Sequence, residues 1–63
     1  MIQQIIDNFY NFIKNKNWTQ CYAAKLIGCH PGHLSKIFHK ERIPSMTLLN
    51  EMEKVMNKYG KAN

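Results

Sequence analysis

Sixty-three residues, with nine Lys and Arg against four Asp and Glu and a net charge of +5, make a small basic chain that buries only about 60% of its unfolded surface. There is room for one domain, 1–63, and an apolar fraction of 44% with few Gly and Pro excludes a disordered or fibrous class. No apolar run reaches the roughly 18 residues of a membrane span, and the N-terminus lacks the basic-then-apolar order of a secretion signal, so a cytoplasmic protein without a membrane partner is expected.

Ile2, Ile5, Ile6, Phe9, Phe12 and Ile13 recur at three- and four-residue intervals, while Gln3, Gln4, Asp7, Asn8, Asn11 and Lys14 fill the other faces. This predicts an amphipathic helix over about 2–15, ended by Asn15-Lys16-Asn17. Thr19 is placed to cap a second helix, 20–27, with Trp18 packed back over its start. Gly28-Cys29-His30 forms a turn, and Pro31 suits the first position of a third helix, 31–39, because its missing N–H would be unpaired there anyway. After the loop Lys40-Glu41-Arg42-Ile43-Pro44, Ser45 caps a fourth helix, 46–58, which turns Leu48, Leu49, Met52, Val55, Met56 and Tyr59 inward. Gly60 stops it, and Lys61-Ala62-Asn63 is left as a frayed tail or a short C-terminal turn.

The expected fold is all-α, a compact four-helix bundle, and its centre is the stretch Gln20 to Phe38. Counting Gln20 as the first position, Ala24 is fifth, Gly28 ninth, Leu34 fifteenth and Ile37 eighteenth, the spacing of a DNA-binding helix-turn-helix. Ala24 must be small because the second helix of the motif crosses close over the first, and Gly28 can take the left-handed conformation that ends a helix. Leu26 or Ile27, with Leu34 and Ile37, closes the wedge between them. Cys21 and Cys29 are expected as free thiols, Cys29 in a buried apolar slot and Cys21 partly exposed. Met46, Met52 and Met56 read as core filler.

The run TQCYAAKLIGCHPGHLSKIFHKERIPSMTLL, Thr19 to Leu49, resembles the Cro/CI-type (XRE-like) helix-turn-helix family of phage repressors and bacterial transcriptional regulators. The resemblance lies in the Thr-Gln opening, Ala24, the Leu-Ile-Gly ending at Gly28, the core of Leu34, Ser35 and Ile37, and the Pro-Ser start at Pro44 and Ser45. It implies a lambda-repressor-like bundle that lays its third helix in the DNA major groove. By position, Gln20 would anchor a phosphate, and His30, Gly32, His33 and Lys36 would face the groove. Pro31 and Gly32 stand where relatives commonly present long polar side chains, Phe38 replaces a frequent acid, and Lys40 replaces a frequent glycine. Base reading at Pro31-Gly32 is thereby reduced to backbone approach and shape.

The residues themselves point the same way. Lys36 lies one turn past His33 on the exposed side of the third helix, where a basic side chain can read guanine O6 and N7. Lys40 and Arg42, in the loop beyond, are placed for phosphates, which position without specifying. His30, His33 and His39 are expected to hydrogen-bond DNA as neutral rings, with protonation near about pH 6 strengthening binding. Cys29 and His33 are four apart, but with Cys29 assigned to the core and no second ligand pair, neither a metal nor another cofactor is expected. No nucleophile, base and orienter or phosphate-binding loop stands out, so an enzyme is not expected. The combined expectation is a sequence-selective regulator of phage or mobile-element type, a repressor that binds double-stranded DNA as a homodimer. Its dimer surface would come from the fourth helix and tail, the first helix, or exposed Trp18, Tyr10, Tyr22 or Tyr59. The alternative is a protein-binding module, an anti-repressor or an inhibitor of a host protein, whose basic face docks on an acidic surface.

Overall fold

The computed structural model describes residues 2–60 and contains four helices, α1 Ile2–Asn15, α2 Gln20–Ile27, α3 Pro31–Phe38 and α4 Met46–Tyr59, with no strand among the described residues. Short polar side chains start α2 and α4. Thr19 Oγ1 accepts from the Tyr22 N–H at 3.0 Å, and Ser45 Oγ accepts from the Leu48 N–H at 3.2 Å. Each satisfies one of the donors that a helix leaves unpaired at its first turn.

Three helices end in one device. Asn17, Gly28 and Lys40 take left-handed φ values of 59°, 80° and 65°. In each case the next residue donates back into the last turn, Trp18 to Ile13, Cys29 to Ala24 and Glu41 to Lys36, all at 2.9 Å. This is the closure that satisfies the final carbonyls of a helix. Lys40 reverses the chain at once, so α3 ends at Phe38 and His39 is its cap rather than its last residue. α4 runs one residue further than expected, to Tyr59. Gly60 has a φ of −91° and does not need to be glycine for conformation. A Cβ there would collide with the Met56 carbonyl and crowd Phe12. The expected tail, Lys61-Ala62-Asn63, lies outside the described residues.

The core takes Ile6, Phe9 and Ile13 from α1, Ala23, Ala24 and Ile27 from α2, Leu34 and Ile37 from α3, and Leu48, Leu49, Met52 and Val55 from α4. α1 packs on α4 and α3, and α2 packs on α3 and α4. Phe9, Leu34, Ile37 and Met52 are the largest fully buried side chains, each contributing about 1.5–3 kcal/mol of burial free energy. Ala24 is wholly buried, as the close helix crossing requires. Ile27 rather than Leu26 closes the wedge, since Leu26 is only half-buried.

Four expectations about burial are corrected. Ile2 is half exposed at the free end of α1, where no later element crosses it. Met46 is 72% exposed, because the first position of α4 precedes the packed face that begins at Leu48. Cys29 is half-buried rather than enclosed, since it follows the left-handed residue at the rim of the turn. Trp18 and Tyr59 are half-buried too. Trp18 meets Phe12, Tyr22 and Tyr59 edge-on at centroid distances of 5.5, 5.1 and 5.4 Å, a geometry that adds to simple burial. Lys16 and Lys58 lie over the rings of Phe12 and Tyr59. Both cysteines are free, as expected.

Candidate nucleic-acid interface

The start of α3 is fixed by His30. Its backbone is extended, and its Nδ1 accepts from the Gly32 N–H at 3.0 Å, so the imidazole does the capping work that Ser or Asp does elsewhere. A ring that accepts at Nδ1 carries its proton on Nε2, and His30 therefore presents a donor away from the helix. Gly32 is part of this arrangement. A Cβ on it would stand 3.2 Å from His30 Nδ1, tighter than side chains ordinarily tolerate. A doubly protonated His30 could not accept from Gly32, so the three histidines do not act alike.

Beside this cap, His30, Gly32, His33, Lys36 and Arg42 line an open cleft of about 350 Å³. Two cationic side chains and two imidazoles converge there, and no carboxylate lines it. Arg42 reaches the cleft from beyond the end of α3, because the left-handed turn at Lys40 folds the loop back. The sequence pairs Arg42 with Lys40 as neighbours in a charged loop. In the structure only Arg42 lines the cleft, and Lys40 is exposed outside it.

Gln20 and His39 belong to a second cleft, about 340 Å³, which they line with Ile6, Asp7, Tyr10 and Phe38. Gln20 sits at the first position of α2 and His39 caps the end of α3, so this cleft joins one helix start to another helix end. Asp7 was not anticipated. Its Oδ1 accepts from Gln3 Nε2 at 2.9 Å, and it puts a negative charge in the same cleft as Gln20. The periodicity of α1 places Asp7 on a polar face, but nothing local indicates that this face turns toward Gln20.

Burial pushes the Cys29 thiol up from its ordinary value of 9.0, so it stays protonated at neutral pH and makes a poor metal ligand or nucleophile. Among the described residues no group of three or more His, Cys, Asp or Glu side chains is placed to hold a metal ion. Among the described residues no helix is long and apolar enough to cross a membrane.

No curated protein and no solved structure matches the chain. A family model described as helix-turn-helix matches residues 10–60, from the later turns of α1 through the end of α4. The matched span holds Ala24, Gly28, Leu34 and Ile37 in the positions that fix the crossing of α2 and α3, and the chain belongs to the Cro/CI-type (XRE-like) helix-turn-helix family of DNA-binding regulators.

Proposed function

We propose that this protein is a sequence-selective repressor of phage or mobile-element type that lays α3 in the major groove of an operator and blocks transcription by occupying it. The observation that carries the reading is the carboxylate-free cleft of His30, Gly32, His33, Lys36 and Arg42. Lys36 reads guanine O6 and N7, and the outward Nε2–H of His30 donates to a base or phosphate acceptor. The bare Gly32 lets the backbone approach the groove. Arg42 and Lys40 neutralise phosphates, and Gln20 holds one at the start of α2. His39, which shares its cleft with Asp7, is the weakest member of the set, because a carboxylate there opposes an anion. One such module buries only about 600–1,000 Å² on DNA, so two copies on half-sites about one helical turn apart supply the affinity of a working repressor.

Selection from a random duplex pool at about 150 mM salt, where long-range phosphate attraction is screened, tests this. An enriched motif with two-fold symmetry is the expected result. Lys36→Ala then relaxes the preference at one base pair, a loss of about 1–3 kcal/mol of discrimination, while Lys40→Ala weakens all duplexes alike. No enrichment, together with affinity that ignores salt between about 50 and 200 mM, would overturn the reading in favour of a protein-binding module.

A further inference from the structure

None of Asp7, Tyr10 and Phe38 helps a DNA complex, yet all three line the cleft at the start of α2 that also holds Gln20 and His39. Asp7 is the only carboxylate there, and no Lys or Arg lines the cleft, although the chain carries a net charge of +5. Among the described residues Asp7 makes no ion pair, and its hydrogen-bond partner is the neutral amide of Gln3. A third cleft, between α2 and α4, shows the alternative. Its Glu51 is accompanied by Lys54 and Lys58 and pairs with Lys54 at 3.5 Å, so that charge is answered from within the fold. The charge of Asp7 is not.

One wall of the Asp7 cleft is aromatic. Tyr10 and Phe38 meet edge-on with centroids 5.0 Å apart, and Phe38 also meets the wholly buried Phe9 at 6.4 Å. Packing against the core thus holds the wall in place. An aromatic face attracts a cation, and Tyr10 already does so within the chain: the Lys14 ammonium, from outside the cleft, stands 5.2 Å from its centroid. The cleft measures about 340 Å³, at the lower end of the roughly 300–1,000 Å³ of small-molecule sites. That is room for one ring with a charged head, not for a stretch of chain.

We propose that this cleft binds a small planar organic cation, an amidinium or guanidinium on an apolar or aromatic body, and that the bound cation tightens DNA binding. A planar N–H fork pairs with both oxygens of a carboxylate, whereas a simple ammonium brings the charge without the fork. Asp7 uses one acceptor site of Oδ1 for Gln3 and keeps Oδ2 entire. The body of the ligand lies against Tyr10 and Phe38. The effect on DNA rests on the operator reading above: Asp7 opposes the phosphate that Gln20 holds, and a cation paired with Asp7 removes that opposition. Gln20 keeps its phosphate, because the cation needs only Asp7 and the two rings. The coupling is reciprocal, so DNA equally raises the affinity for the cation.

The probe is benzamidine, with benzamide as the neutral counterpart of the same shape. Titrated into isotope-labelled protein without DNA, benzamidine shifts the backbone amide resonances of Asp7, Tyr10, Gln20 and Phe38 and saturates below about 1 mM, while benzamide leaves them in place. Asp7→Asn, at an exposed position where the amide oxygen can still accept from Gln3, leaves thermal unfolding unchanged and weakens the probe at least about tenfold. Tyr10→Leu keeps apolar bulk, removes the ring face and weakens it about threefold. On the selected duplex at about 50 mM salt, saturating benzamidine tightens binding about fivefold relative to benzamide. Asp7→Asn gives the same gain without the probe, and the two gains do not add. Equal shifts from benzamidine and benzamide, or an Asp7→Asn protein that binds the probe as well as its parent, would overturn the site. An arginine-containing peptide that bound the cleft more tightly than benzamidine would replace the small molecule with a protein partner. Duplex affinity unchanged or lowered by the bound probe would remove the coupling and leave the site. A protein that bound no duplex would sink the operator reading alone, since the resonance shifts are read without DNA.

Discussion

The two turns that bracket α3 use one backbone device for different ends. Before the helix, Gly28 takes the left-handed conformation at no steric cost, Cys29 is half-buried and His30 caps the next turn. After it, Lys40 takes the same conformation with a side chain attached, and the exposed run Glu41, Arg42 and Ile43 follows. A left-handed residue with a Cβ costs roughly 1–2 kcal/mol relative to an ordinary conformation. The first turn is thus built to aim α3, whereas the second gives up stability to hold charged and apolar side chains at the surface.

The largest effect that tests this contrast is at Gly28. Nothing lies within 4 Å of a Cβ built there, so substitution is opposed by the backbone alone. Gly28→Ala is expected to cost about 1–2 kcal/mol and Gly28→Val more, read as a lower urea midpoint at constant slope. A loss near zero for both would mean that the turn relaxes and does not aim α3. Next is the cap: His30→Ala removes the acceptor of the Gly32 N–H and costs about 1 kcal/mol, while His30→Asn, a good cap in its own right, restores most of it. If Asn failed to restore stability, the ring would be acting by packing instead.

The same contrast marks how far the sequence could be read. Helix limits were legible to within a residue because they depend on local chemistry: the Thr19 and Ser45 hydroxyls, Pro31 without its N–H, the Gly28 backbone. Ile6, Phe9, Ile13, Leu34 and Ile37 were legible as core because helical period places them on one face. Lys40 was not legible as a left-handed residue from its own chemistry, since lysine adopts that conformation only where the surrounding structure imposes it, and the one sign of it was the glycine that relatives frequently carry there. From that one unread dihedral follow the early end of α3 and the return of Arg42 to the cleft with His30 and Lys36. That Asp7 lines one cleft with Gln20 and His39 depends on how α1 lies across the motif, which no local pattern records.

At the second turn the expected sign reverses. Lys40→Gly keeps the turn and removes the Cβ strain, so it stabilises the fold by up to about 1 kcal/mol, offset in part by the greater freedom of glycine in the unfolded chain. It should also weaken binding to every duplex, because a phosphate-neutralising charge is lost. Stability and affinity moving in opposite directions in one variant is the outcome that sharpens the comparison. A Lys40→Gly protein less stable than its parent would break it, since the lysine would then contribute contacts that outweigh its strain.

The smallest effect belongs to Cys29 and is seen only at alkaline pH. Burial raises the thiol of the folded protein above its ordinary value of 9.0, whereas the unfolded chain exposes it to water. Above that value the unfolded state therefore holds fewer protons than the folded one, and unfolding is favoured. The contribution is complete below about pH 9 and is lost as pH rises through the folded value. Urea midpoints of the parent should fall more steeply from pH 8 to 10 than those of Cys29→Ala, the difference between the two curves isolating the thiol from the lysines that titrate nearby. Parallel curves would mean that water reaches Cys29 freely, and the turn before α3 would then be no better packed than the one after it.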